Sequence, residues 1–167
     1  QKQGGCAVAC PAQLQQHSHP VLAFPFMNPL TQKVFAFMLK HWAETYKEWG
    51  SLWCARILNA ALKEAGVPGT GSDMARSFLE IGEHISTPEV GDIVILWREA
   101  KDSAFGHCGL YVYEDADNYF LLGGNQDNRV KIKPYPKTQL LGVRRVKENE
   151  TNTKTSSISR RRGGRIA

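Results

Sequence analysis

The sequence predicts an α+β fold, with helices first and an antiparallel sheet of about five strands second. A change of pattern carries this expectation. Between residues 31 and 82 apolar side chains recur at three- and four-residue spacing, whereas beyond Gly82 they alternate in β-rich runs broken by turn residues. The chain, at 167 residues, also has the size of one domain able to bury a core of its own, and it carries no internal repeat.

The first helix is expected to start with Thr31 as N-cap, because Phe35, Met38, Leu39, Trp42 and Tyr46 share one helical stripe, and to end at Gly50. Ser51 can cap a second helix. Its Ile57, Leu58, Ala61, Leu62 and Ala65 point inward, Arg56, Asn59 and Lys63 point outward, and Gly66 and Pro68 close it. Cys54 then sits on the inward face of the first turn. A short helix from Ser72 should place Ala75, Phe78 and Leu79 inward and stop at Gly82. Strands are expected at 92–97, 107–113, 119–123, 129–133 and 142–146. The resulting division is an irregular arm over 1–29, a folded domain over 30–146 and a Ser/Thr/Asn-rich tail over 147–167 that should be disordered.

Net charge is +5, and it is unevenly placed: residues 1–146 hold 15 Lys and Arg against 14 Asp and Glu, while 147–167 hold 6 against 2. The body is thus near neutral, which speaks against nucleic acid as its partner, and "SRRRGGR" in the tail supplies the excess. No run approaches the length of a membrane-spanning helix. The first residue is Gln, as in a processed or excised chain, and no leader is visible at the start. Four cysteines fall at 6, 10, 54 and 108. Cys6 and Cys10 with His17 and His19 are spaced too tightly for the usual zinc patterns, so a loose arm or a local disulfide is the expectation there. "GVPGTGS", residues 66–72, has the outline of a phosphate loop, but it lacks the lysine and follows a helix, so its glycines read as turn formers.

Cys54 is the residue on which a function turns. A buried cysteine is commonly a small hydrophobe. A cysteine in the first turn of a helix faces unpaired N–H groups and the positive end of the helix dipole, which favour thiolate over thiol. Such a nucleophile needs a base. His17, His19, His41 and His84 fall in the arm, on the first helix and before the sheet, while His107 opens a strand between Gly106 and Gly109, which should leave its ring accessible. Alternation puts His107, Gly109 and Tyr111 on one face and Cys108, Leu110 and Val112 on the other, so Cys108 is expected in the core. With the following hairpin centred on Ala116, the residue opposite His107 is Asn125, whose carbonyl could fix the imidazole. A register half a step longer selects Gln126, and a full step Asp127; plain turn chemistry competes for the Asn and Asp residues of this stretch.

The order of "WC" at a helix start, "GTGS" after that helix, "VGDIV" opening the sheet, "GHCG" on a strand and "GGNQ" at the end of the next resembles the small papain-like cysteine peptidases of the NlpC/P60 and CHAP group, over roughly residues 30–146. The resemblance implies a papain-like core with Cys54 as nucleophile, His107 as base and Asn125 as the polar third residue, acting on an amide bond of bacterial peptidoglycan. It implies no metal and no organic cofactor, a monomer acting off the membrane, a secreted, periplasmic or wall-delivered location, and an inhibitor or immunity protein as a partner open to such an enzyme. Trp53, with Trp49, is expected to wall the cleft; Gln126 and Asp73 are candidate substrate contacts, as is Asp92, against ordinary packing, capping and turn roles. Two other functions are compatible with the same residues: a deamidase or acyltransferase of this fold, and a catalytically silent wall-binding module helped by its basic tail.

Overall fold

The computed structural model describes residues 27–50 and 52–148. The order of elements is helix α1 (Pro29–Lys40), helix α2 (Cys54–Glu64), then β1 (Glu83–His84), β2 (Ile93–Trp97), β3 (Gly106–Glu114), β4 (Asn118–Gly123), β5 (Lys131–Pro136) and β6 (Leu140–Arg145). Short 3-10 segments lie at Lys47–Trp49, Ala75–Glu80 and Lys137–Gln139. The strands form one six-stranded sheet in the order β1-β6-β2-β3-β4-β5, and every neighbouring pair is antiparallel.

α1 starts earlier than the apolar stripe suggests. The N-cap is Asn28, whose side chain accepts from the Thr31 N–H at 2.9 Å, and Pro29 follows in the first turn, where its missing N–H costs nothing. The helix also stops earlier, at Lys40, because Ala43 takes a positive φ of 63°. Its buried stripe is Leu30, Val34, Phe35 and Met38, while Leu39 and Trp42 stay exposed. Ser51, the expected cap of α2, lies outside the described residues. The N-cap position of α2 is Trp53, which makes no side-chain cap bond, and the expected inward stripe Ile57, Leu58, Ala61 and Leu62 is buried. The turn after α2 closes with Gly66 at φ +94° and the Val67 N–H on the Leu62 carbonyl.

The segment after Ser72 forms a 3-10 helix that buries Ala75 and Phe78. β5 and β6 each lie about two residues from their expected positions, and β5 contains Pro134 and Pro136. A strand with two prolines fits the sheet edge, which is where β5 lies. β6 crosses back to insert between β1 and β2, and there Arg145 meets buried Asp92 through two bonds of 2.7 Å. Asp92, a candidate substrate contact in the sequence, is therefore occupied as a structural ion pair. One face of the sheet carries Ile93, Ile95, Cys108, Leu110 and Leu122 against both helices; the other carries Val94, Leu96, Leu121 and Val143.

Candidate active site

Cys54 is the first residue of α2 and is buried at the foot of β3, where Phe105 and Gly106 line the same small cavity as its side chain. Gly106 lets the start of β3 lie close to β2 and the Ala75–Glu80 segment, since a Cβ there would stand 2.8 Å from the Leu96 carbonyl oxygen and 3.5 Å from the Ala75 Cβ. With no side chain capping it, the first turn of α2 keeps its N–H groups and positive dipole end for the sulfur and for whatever the sulfur attacks. The Cys54 thiol is drawn down to about 4: the Cys108 thiol hydrogen-bonds it, the His107 side chain bonds and attracts it, and the Cys108 backbone N–H adds a further bond, together outweighing burial. At neutral pH the group is a thiolate. Cys108 moves the opposite way, well above the ordinary thiol range, because it is buried beside that negative sulfur.

His107 is not the open imidazole its flanking glycines suggest; it is 3% exposed. Its ring stacks on Tyr135, with centroids 4.6 Å apart at 26°. The Nε2 atom meets the Gln126 Oε1 at 3.2 Å. The orientation of that amide is fixed by its other end, because Gln126 Nε2 donates to the carbonyls of Leu121 and Gly123, each at 3.1 Å, and to that of Lys131. Turning the amide over would set its oxygen against three carbonyls. Gln126 Oε1 is therefore the acceptor and His107 Nε2 the donor in this bond.

The hairpin count for the third residue was right in register and different in outcome. Leu110 faces Leu122 and Tyr111 faces Leu121, the register that sets 125 opposite 107. β4, however, ends at Gly123, and the chain then turns through Asn125, Asp127 and Asn128 at φ of 59°, 51° and 58°. This turn folds Gln126 under the strand, where it is wholly buried, so that Gln126 and not Asn125 meets Nε2. Asn125 lines the larger cavity together with His107. Of the alternatives left open by the hairpin count, it is Gln126 that bonds the ring, and Asn125 lies at the cavity wall. Asp127 is exposed and held by Lys131 and Lys133, which lower its carboxyl to about 2.

Of the remaining candidates, Trp53 is 0% exposed and cannot wall a cleft; it packs in the core with its Nε1–H on Asn128 Oδ1 at 3.3 Å. Trp49 is half-buried and stacks on Tyr46. Asp73 does line the small cavity beside Cys54, and its carboxylate is bound by Arg56 at 2.6 Å. His41 bonds Glu44 and Tyr46, and His84 is exposed on β1, both remote in role from the sulfur. Cys6, Cys10, His17 and His19 lie outside the described residues.

The open side of His107 faces a cavity of about 360 Å³, bordered by Trp97, Arg98, Asn125, Asp127, Lys133 and Tyr135. Sequence reasoning missed Tyr135 altogether and placed Cys108 in the core without its influence on the Cys54 thiol. The adjacency of Cys108 to His107 was the available signal for the second.

No family model matches the chain, and no curated protein sequence does. Among solved structures, it is similar to the P60 domain of an antigen from M. avium paratuberculosis, at 13% identity and a TM-score of 0.49, over 75% of this chain and 97% of that one. It is also similar to a lipoprotein-like protein of the NLP/P60 family from Staphylococcus aureus, at 17% identity and a TM-score of 0.50. That match covers 72% of this chain and 42% of the staphylococcal one. Helices that bury one face of an antiparallel sheet, a cysteine heading the second helix and this likeness together make the chain an NlpC/P60-type, papain-like α+β fold.

Proposed function

We propose that the protein is a cysteine hydrolase that cleaves an amide bond of bacterial peptidoglycan. The observation that carries this reading is the placement of Cys54: a sulfur heading a helix with no side-chain cap, its thiol drawn down by its neighbours, next to an imidazole whose Nε2 is held by Gln126. A sulfur so placed is suited to attack on a carbonyl carbon. In the proposed reaction the thiolate adds to the amide carbonyl, and the Cys54 backbone N–H at the helix start stabilises the oxyanion. His107, which holds on Nδ1 the proton given up by the Cys54 thiol, gives that proton to the leaving amine as the C–N bond breaks. It then takes a proton from the water that hydrolyses the thioester, which returns the thiolate and releases a carboxylic acid.

Gln126 holds the ring throughout as a neutral partner; Asn125 borders the cavity beside His107, and Asp73 the small cavity beside Cys54. The wall as substrate is read from the fold type, and a location outside the cytoplasmic membrane is part of the same proposal; among the described residues no helix is long and apolar enough to cross one. No step requires a metal, so activity is expected to survive EDTA.

The test is digestion of purified peptidoglycan by wild type and Cys54→Ala, with mass spectrometry of the released fragments. New termini that depend on Cys54, with a rate loss of at least about 1,000-fold in the variant, support the reading. Equal fragments from both proteins exclude Cys54 as the nucleophile, and none from either excludes wall hydrolysis; a modified protein or lipid product would place the same thiolate chemistry in a deamidase or acyltransferase.

A further inference from the structure

Gln126 fixes one atom of the His107 ring, and a single hydrogen bond at Nε2 leaves the ring free to tip about that contact. The face of the ring is held by another residue, Tyr135, whose own ring lies 4.6 Å away, centroid to centroid, and 26° from parallel. Strand register does not bring the two together. Tyr135 pairs with Tyr119 on β4, and Tyr119 with Glu114, at the far end of β3 from His107. They meet because the chain leaves β5 through the Lys137–Gln139 segment and enters β6 at Leu140, which pairs with Leu96, and Leu96 in turn pairs with His107. That crossing, from the edge of the sheet to its interior, carries Tyr135 over the face that bears Val94, Leu96 and Leu121 and onto the imidazole.

We propose that Tyr135 is a second positioning residue for His107, whose π face sets the plane of the imidazole and supports the positive charge the ring carries once it has taken the Cys54 proton. This role rests on the reaction proposed above, in which His107 holds and returns that proton.

A charged base needs a counter-charge, and the residues about the ring supply little. Gln126 is neutral. Arg98, Asp127 and Lys133 line the cavity beside His107, but the Asp127 carboxylate is engaged by Lys131 and Lys133, so the fixed charge there is net positive. Burial keeps Cys108 a protonated thiol; burial, with the negative Cys54 sulfur and Asp127 adding to it, keeps Tyr135 a neutral phenol. Cys54 is a negative partner only until its sulfur bonds to the carbonyl carbon. From then until the amine departs, the Gln126 carbonyl oxygen and the electron-rich face of Tyr135 are what favour the charged ring among the described residues.

The experiment follows the His107 imidazole by NMR in the full chain carrying isotope-labelled histidine, its resonance being the one lost in His107→Gln, and titrates it with pH. Tyr135→Phe keeps the π face and is expected to leave the midpoint of the transition within about 0.2 pH units of wild type. Tyr135→Leu fills similar space without that face and should lower the midpoint by about 0.5–1.5 pH units, a loss of about 3- to 30-fold in favour of the charged ring. Adding fluorines to the ring of the Tyr135→Phe protein withdraws π density at nearly constant shape, so the midpoint should fall stepwise with their number even if Tyr135→Leu does not fold. A midpoint that ignores fluorination, or that moves as far in Tyr135→Phe as in Tyr135→Leu, would overturn this role. On peptidoglycan, Tyr135→Leu should lose about 10-fold in kcat with KM little changed, and Tyr135→Phe should keep the wild-type rate. A wild type that leaves peptidoglycan intact sinks the proposed hydrolysis, whereas the titration decides the role of Tyr135 without any substrate.

Discussion

Replacing Gln126 with alanine removes the acceptor of the His107 Nε2 proton and leaves the carbonyls of Leu121, Gly123 and Lys131 around an empty space. The variant should lose about 100-fold in kcat, the scale of a misplaced general acid and base, and about 1–3 kcal/mol of stability in urea titration. Asn125→Ala, whose side chain borders the cavity, should change KM more than kcat. The pair of measurements separates the orienter from the substrate contact. Cys54 also ties stability to pH. The unfolded chain protonates a thiol near 9, whereas the fold keeps this one ionised down to about 4. Its contribution is thus complete above pH 9, declines as pH falls through that interval and is gone below 4. Stability profiles of wild type and Cys54→Ser should diverge over that window. At this scale Cys54 and His107 were legible because helix position and strand position each point to a chemistry. Gln126 was not, because choosing between adjacent residues depends on a turn of left-handed Asn and Asp whose geometry no periodicity encodes.

The approach of α2 to the β4–β5 turn holds the site together at the level of elements. A Cβ on Gly124 would stand 2.5 Å from both the Ile57 Cγ2 and the Trp53 ring, so only glycine lets the start of α2 sit against the turn that carries Gln126. Gly124→Ala should cost about 1–3 kcal/mol by thermal or urea unfolding and should impair catalysis beyond that loss, because it moves Cys54 relative to His107. The elements themselves were legible wherever one face is buried: α2 and strands β2, β3 and β4 follow their apolar patterns within a residue or so at their ends. α1 was read late at its start and long at its end, because Asn28 and Pro29 override the stripe and exposed Leu39 and Trp42 extend it past Lys40. β5 was displaced because an edge strand with two prolines has neither alternation nor a full set of donors.

For the molecule as a whole, β6 crosses back to lie between β1 and β2, and the buried Asp92 pinned by Arg145 anchors that crossing beside β2. Asp92→Asn should destabilise the whole fold by about 3 kcal/mol while leaving the reactivity of the remaining folded Cys54 unchanged, since the pair lines neither the cavity beside His107 nor the one beside Cys54. The antiparallel sheet under N-terminal helices was legible from the change of period alone; the crossover was not, because which strand neighbours which depends on contacts between residues far apart in the chain. The central claim is that this fold holds Cys54 as a thiolate nucleophile. The most direct test is the rate at which iodoacetamide alkylates Cys54, followed by mass spectrometry from pH 3 to 10. A rate that is flat through neutrality and falls with a midpoint near 4 is the predicted result; a rate that rises only as pH approaches 9 would contradict it.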